Sequence, residues 1–215
     1  CDYMVELEFF RSMPEGIRKD AWFLTKVTMT GQERNPETGR YPLLDWDDPA
    51  TNQKHPYWKK NIESSDWVFN YNDGYYETKG ISSASGKTRM IFRYADILLL
   101  YAEAVAYGSK NIDDLAFDCM WRVQKRAGVP LISKDVTKAY FQKAVLDERR
   151  WETAGMEHSC MGRFFTMQRH EILHLQKNYR DAAELSLNPN LTLSEEFYYF
   201  PIPDNELLIV PGLKD

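Results

Sequence analysis

Arg93-Tyr94-Ala95-Asp96-Ile97-Leu98-Leu99-Leu100-Tyr101-Ala102-Glu103-Ala104 is the stretch that decides the fold class. Within and just beyond it, Tyr94, Ile97, Leu98, Tyr101, Ala102 and Val105 fall at i, i+3, i+4, i+7, i+8 and i+11, one apolar stripe of an α-helix that stops at Gly108. Asp113 or Asp114 then offers an N-cap, and Ala116, Cys119, Met120, Val123 and Ala127 form a second stripe ending at Gly128-Val129-Pro130. The connection is short, so the two helices read as an αα-hairpin. A third helix is expected from about Thr137 to Thr153 with Phe141, Ala144 and Val145 inward. A fourth is expected from about Gly162 to Lys177, and the Pro-interrupted tail from Glu196 to Leu213 reads as extended.

Upstream of residue 90 the texture changes. Tyr41, Trp46, Tyr57, Trp58, Trp67, Phe69, Tyr71, Tyr75 and Tyr76 alternate with Pro42, Pro49, Pro56 and many Asp and Asn residues, a punctuation that predicts loops and short strands. Glu8 to Leu24 reads as a short helix or strand with a turn at Pro14-Glu15-Gly16. The organisation expected is therefore an irregular aromatic-rich portion, 1–92, and a helical portion, 93–215, together mainly α.

Composition narrows the function classes. The 215 residues are 43% hydrophobic and 27% charged, which fits a folded globular chain and not a disordered one. A net charge of -5 repels phosphate backbones and argues against a nucleic-acid partner. The uncharged run Ile97 to Ala102 is far shorter than the ~20 residues a membrane-spanning helix needs. Cys1, Cys119 and Cys160 suggest neither a disulfide framework nor a cysteine zinc site. Cys119 reads as a small buried hydrophobe, and Cys1 fits either an acylated lipoprotein terminus or the first residue of a fragment.

Arg93 to Ala104 resembles the RYADvLLmyAEA signature of the SusD/RagB family, the surface glycan-binding lipoproteins of Bacteroidetes. Arg122 to Gly128 (family R-x-RAG), Glu148-Arg149-Arg150-Trp151-Glu152 (ERRxE), Arg163 to Arg169 (RWFDLxR) and Phe200 to Glu206 (PIPxxE) follow in the family's order, and Arg18 to Leu24 resembles RKDATFL. Thr166 stands where the family has Asp, and Met156 to Met161 departs from its FEGhR spacing. Members are typically about twice this long, so the resemblance is to the C-terminal part. It implies helical hairpins of tetratricopeptide-like type, oligosaccharide or other nutrient binding without bond cleavage or cofactor, and delivery to a TonB-dependent, SusC-like transporter. It also implies an outer-membrane surface location through a lipid anchor upstream of these residues.

Sugar rings have an apolar face on which aromatic rings stack, while short polar side chains take the hydroxyls. Trp46, Tyr57, Trp58, Trp67, Tyr71 and Tyr75, with Asp47, Asn70 and Asn72, are accordingly the candidate ligand residues. Glu148 and Glu152 share a helix face that continues an apolar stripe, so they should turn inward and need cationic partners, for which Arg149, Arg163 and Arg169 are available. They are expected to form a structural ion network and not an acid/base pair. A competing signal is His170-Glu171-Ile172-Leu173-His174, a literal HExxH. In a continuous helix His170 and His174 would bind zinc and Glu171 would activate water, with His158, Glu184, Glu195 or Glu196 as third ligand. The alternatives to glycan binding are thus a zinc-dependent hydrolase and a helical-repeat interaction module.

Overall fold

The computed structural model describes residues 5–28, 33–39, 42–50, 55–59, 67–70, 75–78, 92–108, 110–155, 164–172, 182, 202–210 and 212. The chain divides into two compact units, Cys1–Arg163 and Phe164–Asp215.

The first unit is built on three helices, α3 (Tyr94–Tyr107), α4 (Asp114–Ala127) and α5 (Lys138–Thr153), with α3 packed on both of the others. Their limits follow the capping chemistry. The Asp113 carboxylate accepts from the Ala116 amide at 2.7 Å to start α4, and the Thr137 hydroxyl accepts from the Tyr140 amide at 3.2 Å to start α5. At the end of α4, Gly128 takes the left-handed conformation (φ 71°) that a C-terminal cap favours. The carbonyls left over at the end of α3 are taken by α5: Lys138 donates to those of Gly108 and Lys110, and Gln142 to that of Ala106. Phe117 of α4 meets Phe141 of α5 edge to face at 4.8 Å, over a core that holds Leu99, Met120, Val123 and Val145. Cys119 is buried there.

Two helices precede this hairpin, α1 (Leu7–Ser12) and α2 (Ile17–Trp22), separated by Met13 to Gly16. The turn rests directly on the end of α4. A Cβ at Gly16 would lie 2.7 Å from the Ala127 carbonyl oxygen and 2.9 Å from that of Gly128, backbone atoms that cannot step aside. The aromatic stretch takes part in three antiparallel two-stranded pairs, two of them with strands that follow α2: β1 (Phe23–Leu24) with β4 (Tyr57–Trp58), β2 (Lys26–Thr28) with β3 (Leu43–Asp45), and β5 (Trp67–Asn70) with β6 (Tyr75–Thr78). α2 packs on α4, so the first compact unit spans the change of texture near residue 90.

Three expectations from periodicity are corrected. On α3 the buried residues are Ala95, Leu99, Ala102, Glu103 and Ala106, whereas Tyr94, Ile97 and Tyr101 point outward. Small residues face in because α3 is clasped between two helices. In the second unit the helix expected from about Gly162 to Lys177 covers 164–169 among the described residues and stops before Glu171. Glu171 has φ 55°, and the Glu171 and Ile172 amides return to the Gln168 and Met167 carbonyls at 3.0 and 2.8 Å, a left-handed helix stop. The tail expected to be extended contains a helix, Asp204–Ile209, for which Pro203 is the N-cap. No described helix is long and apolar enough to cross a membrane.

Gly16→Ala is expected to destabilise the chain by about 1–3 kcal/mol, the usual cost of forcing extra volume into a packed contact. Ala substitution at the exposed Gly39, where a Cβ meets nothing within 4 Å, serves as the comparison for backbone strain alone in a urea titration.

Candidate functional site

Two constellations emerge in the first unit, an aromatic cluster at its N-terminal end and a buried ion network beneath it. The cluster centres on Phe23. Phe10 and Trp58 lie 5.1 Å from its ring centroid and Phe9 lies 6.4 Å away, while Phe9 also meets Trp58 at 6.2 Å and Phe10 meets Trp46 at 5.8 Å. Phe23 belongs to a core with Val5, Met13 and Trp22. The buried ammonium of Lys19 sits 4.5 Å from the Phe10 ring centre and donates to the Met13 carbonyl and the Glu15 carboxylate at 3.1 and 2.6 Å.

The candidate ligand residues fall at different depths. Trp58 is lodged between Phe9, Phe23 and Gly155, where a Cβ at 155 would strike its ring, so it forms part of the support. Trp46 and Tyr57 are half-buried and Asp47 is exposed. Trp67, Asn70 and Tyr75 belong to the β5–β6 pair, with Asn70 the register partner of Tyr75 and Trp67 that of Thr78. Tyr71 and Asn72 lie outside the described residues.

The ion network is centred on Glu152, only 2% exposed as a side chain. It accepts from Arg93 at 2.8 Å, Arg126 at 2.5 Å and Arg18 at 3.2 Å. Arg18 also pairs with Glu148, which is buried. Arg93 stands at the N-cap of α3, and the Asp96 carboxylate accepts both its backbone amide at 2.8 Å and its guanidinium at 3.0 Å. Arg93 further donates to the Glu152 carbonyl at 2.8 Å. Arg149, expected among the partners of Glu148 and Glu152, pairs with the buried Glu103 of α3. Arg163 lies outside the described residues, and Arg169 belongs to the second unit.

Burial pushes the Glu148 carboxyl above the ordinary glutamate range; Arg18, the first opposing influence, pulls it down through charge and hydrogen bonding, Glu152 adds a push upward, and Gln124 donates a hydrogen bond that pulls it down again. Arg18 and Arg93 went unnamed as partners in the sequence reading, although both lie in segments that carry family resemblance. Arg93 immediately precedes the apolar run of α3, a signal that names no partner.

The zinc reading loses its structural premise. His170 is followed at once by the left-handed Glu171, so the continuous helix that would bring the two histidines to one face stops before the motif is complete. His174, His158, Glu184, Glu195 and Glu196 lie outside the described residues. Among the described residues no three His, Cys, Asp or Glu side chains are grouped as a metal would require.

The family model described as the SusD family matches residues 13–215. The chain belongs to the SusD family. A crystal structure of a SusD superfamily protein from Parabacteroides distasonis ATCC 8503 is similar to it, with a TM-score of 0.62 at 18% sequence identity over 97% of this chain and 40% of that one. This likeness bears on the fold, which is helical and of tetratricopeptide-like type. The chain thus spans less than half the length of that relative. No curated protein matches it. The residues at the centre of the ion network can now be read against the SusD signatures: Arg18, Arg93 with Asp96, Arg126, and Glu148 with Glu152 come from four separated segments and meet in one place.

Glu152→Ala is expected to cost about 3–5 kcal/mol in a denaturant titration, because three guanidinium groups lose a buried partner. Arg126→Ala, whose side chain is 59% exposed, should cost no more than about 1 kcal/mol. The pH dependence of Glu148 has a defined sign. A carboxyl whose pKa is higher in the folded than in the unfolded chain contributes fully below the ordinary glutamate range, and that contribution is lost as pH rises through the raised value. Glu148→Gln should therefore flatten the decline in Tm over that interval, measured by thermal melts at closely spaced pH.

Proposed function

We propose that this chain takes part in the capture of oligosaccharide at the outer-membrane surface and its delivery to a TonB-dependent, SusC-like transporter, by binding alone and without bond cleavage. The observation that carries this reading is membership of the SusD family across residues 13–215. A lipid-anchored location and a transporter partner belong to the same reading, which requires no cofactor.

The ligand surface in this proposal is the aromatic stretch. Asp47 and the half-buried Trp46 and Tyr57 form one edge, and the β5–β6 pair with Trp67, Asn70 and Tyr75 supplies another, together with Tyr71 and Asn72 between its strands. Trp58 holds that edge to the core from beneath. The chemistry suits sugar, since aromatic rings cover C–H faces and carboxylate or amide groups take hydroxyls. Gains per ring are small and each bound sugar must be ordered, so a shallow surface of this kind yields weak affinity and fast exchange. Fast release is what delivery to a second protein requires.

Titration of intrinsic tryptophan fluorescence with α-glucan, fructan, xylan, mannan and host-type oligosaccharides tests the reading. A saturable change is expected with one class. Trp67→Ala should weaken it about tenfold and Asp47→Ala about fivefold, the ordinary worth of one stacked ring and one hydrogen bond. A folded chain that responds to none of these sugars would refute the assignment of the aromatic stretch as a glycan surface.

A further inference from the structure

We propose that Gly155, at the end of α5 and far along the chain from the aromatic stretch, is the positioning residue for the Trp46–Tyr57 edge of the ligand surface. What that edge binds rests on the glycan reading above; how Gly155 places it does not.

α5 ends in two steps. Ala154 leaves the helical conformation (ψ 145°), and Gly155 turns the chain in the left-handed region (φ 63°). Glycine is usual at such a stop, and asparagine can replace it there. The packing asks for more than a stop. A Cβ at Gly155 would lie 2.5, 2.8 and 2.8 Å from Cε3, Cδ2 and Cζ3 of Trp58, all atoms of the six-membered ring of its indole. Trp58 is backed on its other sides by Phe23 at 5.1 Å and Phe9 at 6.2 Å, and Phe23 is buried with Val5, Met13 and Trp22. The indole therefore fills the place that a side chain at 155 would claim.

This seat decides which way β4 faces. Successive side chains of a strand point to opposite faces, so a Trp58 turned in onto Gly155 turns Tyr57 the other way. The placement passes on through β1, which pairs Phe23 with Trp58 and Leu24 with Tyr57. Thr25 follows at once and its carbonyl accepts from the Trp46 amide at 2.9 Å, while Phe10 meets both the Trp46 ring at 5.8 Å and the Phe23 ring at 5.1 Å. A displaced Trp58 thus disturbs the backbone and the ring that present Trp46. The last turns of α5 grip the edge twice: Glu148 and Glu152 hold Arg18 of α2, which runs straight into β1, and Gly155 holds β4.

The test uses the 215-residue chain with its six tryptophans replaced by fluorotryptophan, each fluorine resonance being assigned by a single Trp→Phe substitution. Gly155→Ala should shift the resonances of Trp58 and Trp46 and leave that of Trp121, on α4, in place. In titrations with the five oligosaccharide classes named above, Gly155→Ala should weaken binding at least about tenfold and Trp58→Phe no more than about threefold. The double variant should bind like Trp58→Phe, because phenylalanine lacks the second ring and leaves room for the methyl group. Gly155→Asn keeps the helix stop but adds a Cβ, and should bind as poorly as Gly155→Ala. A tolerated Gly155→Asn, additive losses in the double variant, or a Trp46 resonance unmoved by Gly155→Ala would overturn the proposal. Should Gly155→Ala not fold, recovery of a folded chain in the double variant supports it and failure to recover overturns it. A wild-type chain that binds none of the sugars refutes the glycan surface alone, and the fluorine shifts then decide whether Gly155 positions Trp46.

Discussion

The carboxylate of Glu152 is the point on which the first compact unit depends. It sits near the end of α5, almost wholly out of water, and is tolerable there only because three guanidinium groups converge on it. Those groups come from α2, from the first residue before α3, and from the last turn of α4. The network includes two further carboxylates, Glu148 and Asp96, so three cationic and three anionic groups are balanced within it. Coulombic balance in a buried place fixes geometry more than it adds stability. Each helix must present its arginine at one depth and one angle, and this sets the platform on which the short strands and aromatic rings are laid.

Much of this was legible in the residues. The caps at Asp113 and Gly128 placed α4, since capping is local chemistry between neighbours in sequence, and α5 follows its expected range of about Thr137 to Thr153 to within a residue. The inward turn of Glu148 and Glu152 followed from the apolar stripe they continue. Their partners did not, because the distance between Arg18 and Glu152 along the chain is 134 residues and no local pattern spans it. The orientation of α3 was misread for a different reason. A stripe analysis finds a face only when the opposite face is polar, and Tyr94, Ile97, Leu100 and Tyr101 make both faces of α3 apolar. Alanine on one side and large rings on the other then decide which side lets neighbouring helices approach.

The aromatic stretch shows a similar limit. Its prolines and its Asp and Asn residues indicated loops with short strands, and the strands there are two to four residues long. Composition alone could not separate rings that hold the core from rings that face outward, and Trp58, packed against Phe23 and Gly155, belongs to the first kind. The HExxH string is the opposite case, a pattern of residues without its backbone. A single left-handed residue at Glu171 dissolves it.

The separation between Arg18 and Glu152 also sets what closing the network costs. α3, α4 and α5 are joined by connections of about six and ten residues, so their contacts close short loops at low entropic cost. Arg18 must then be brought back across most of the unit to reach carboxylates already positioned by α5. Without Arg18, Glu148 would lose its cationic partner in the interior, while Glu152 would keep Arg93 and Arg126. Docking of the N-terminal helices therefore completes the charge balance of the interior, and the same contact sets the aromatic cluster beside it.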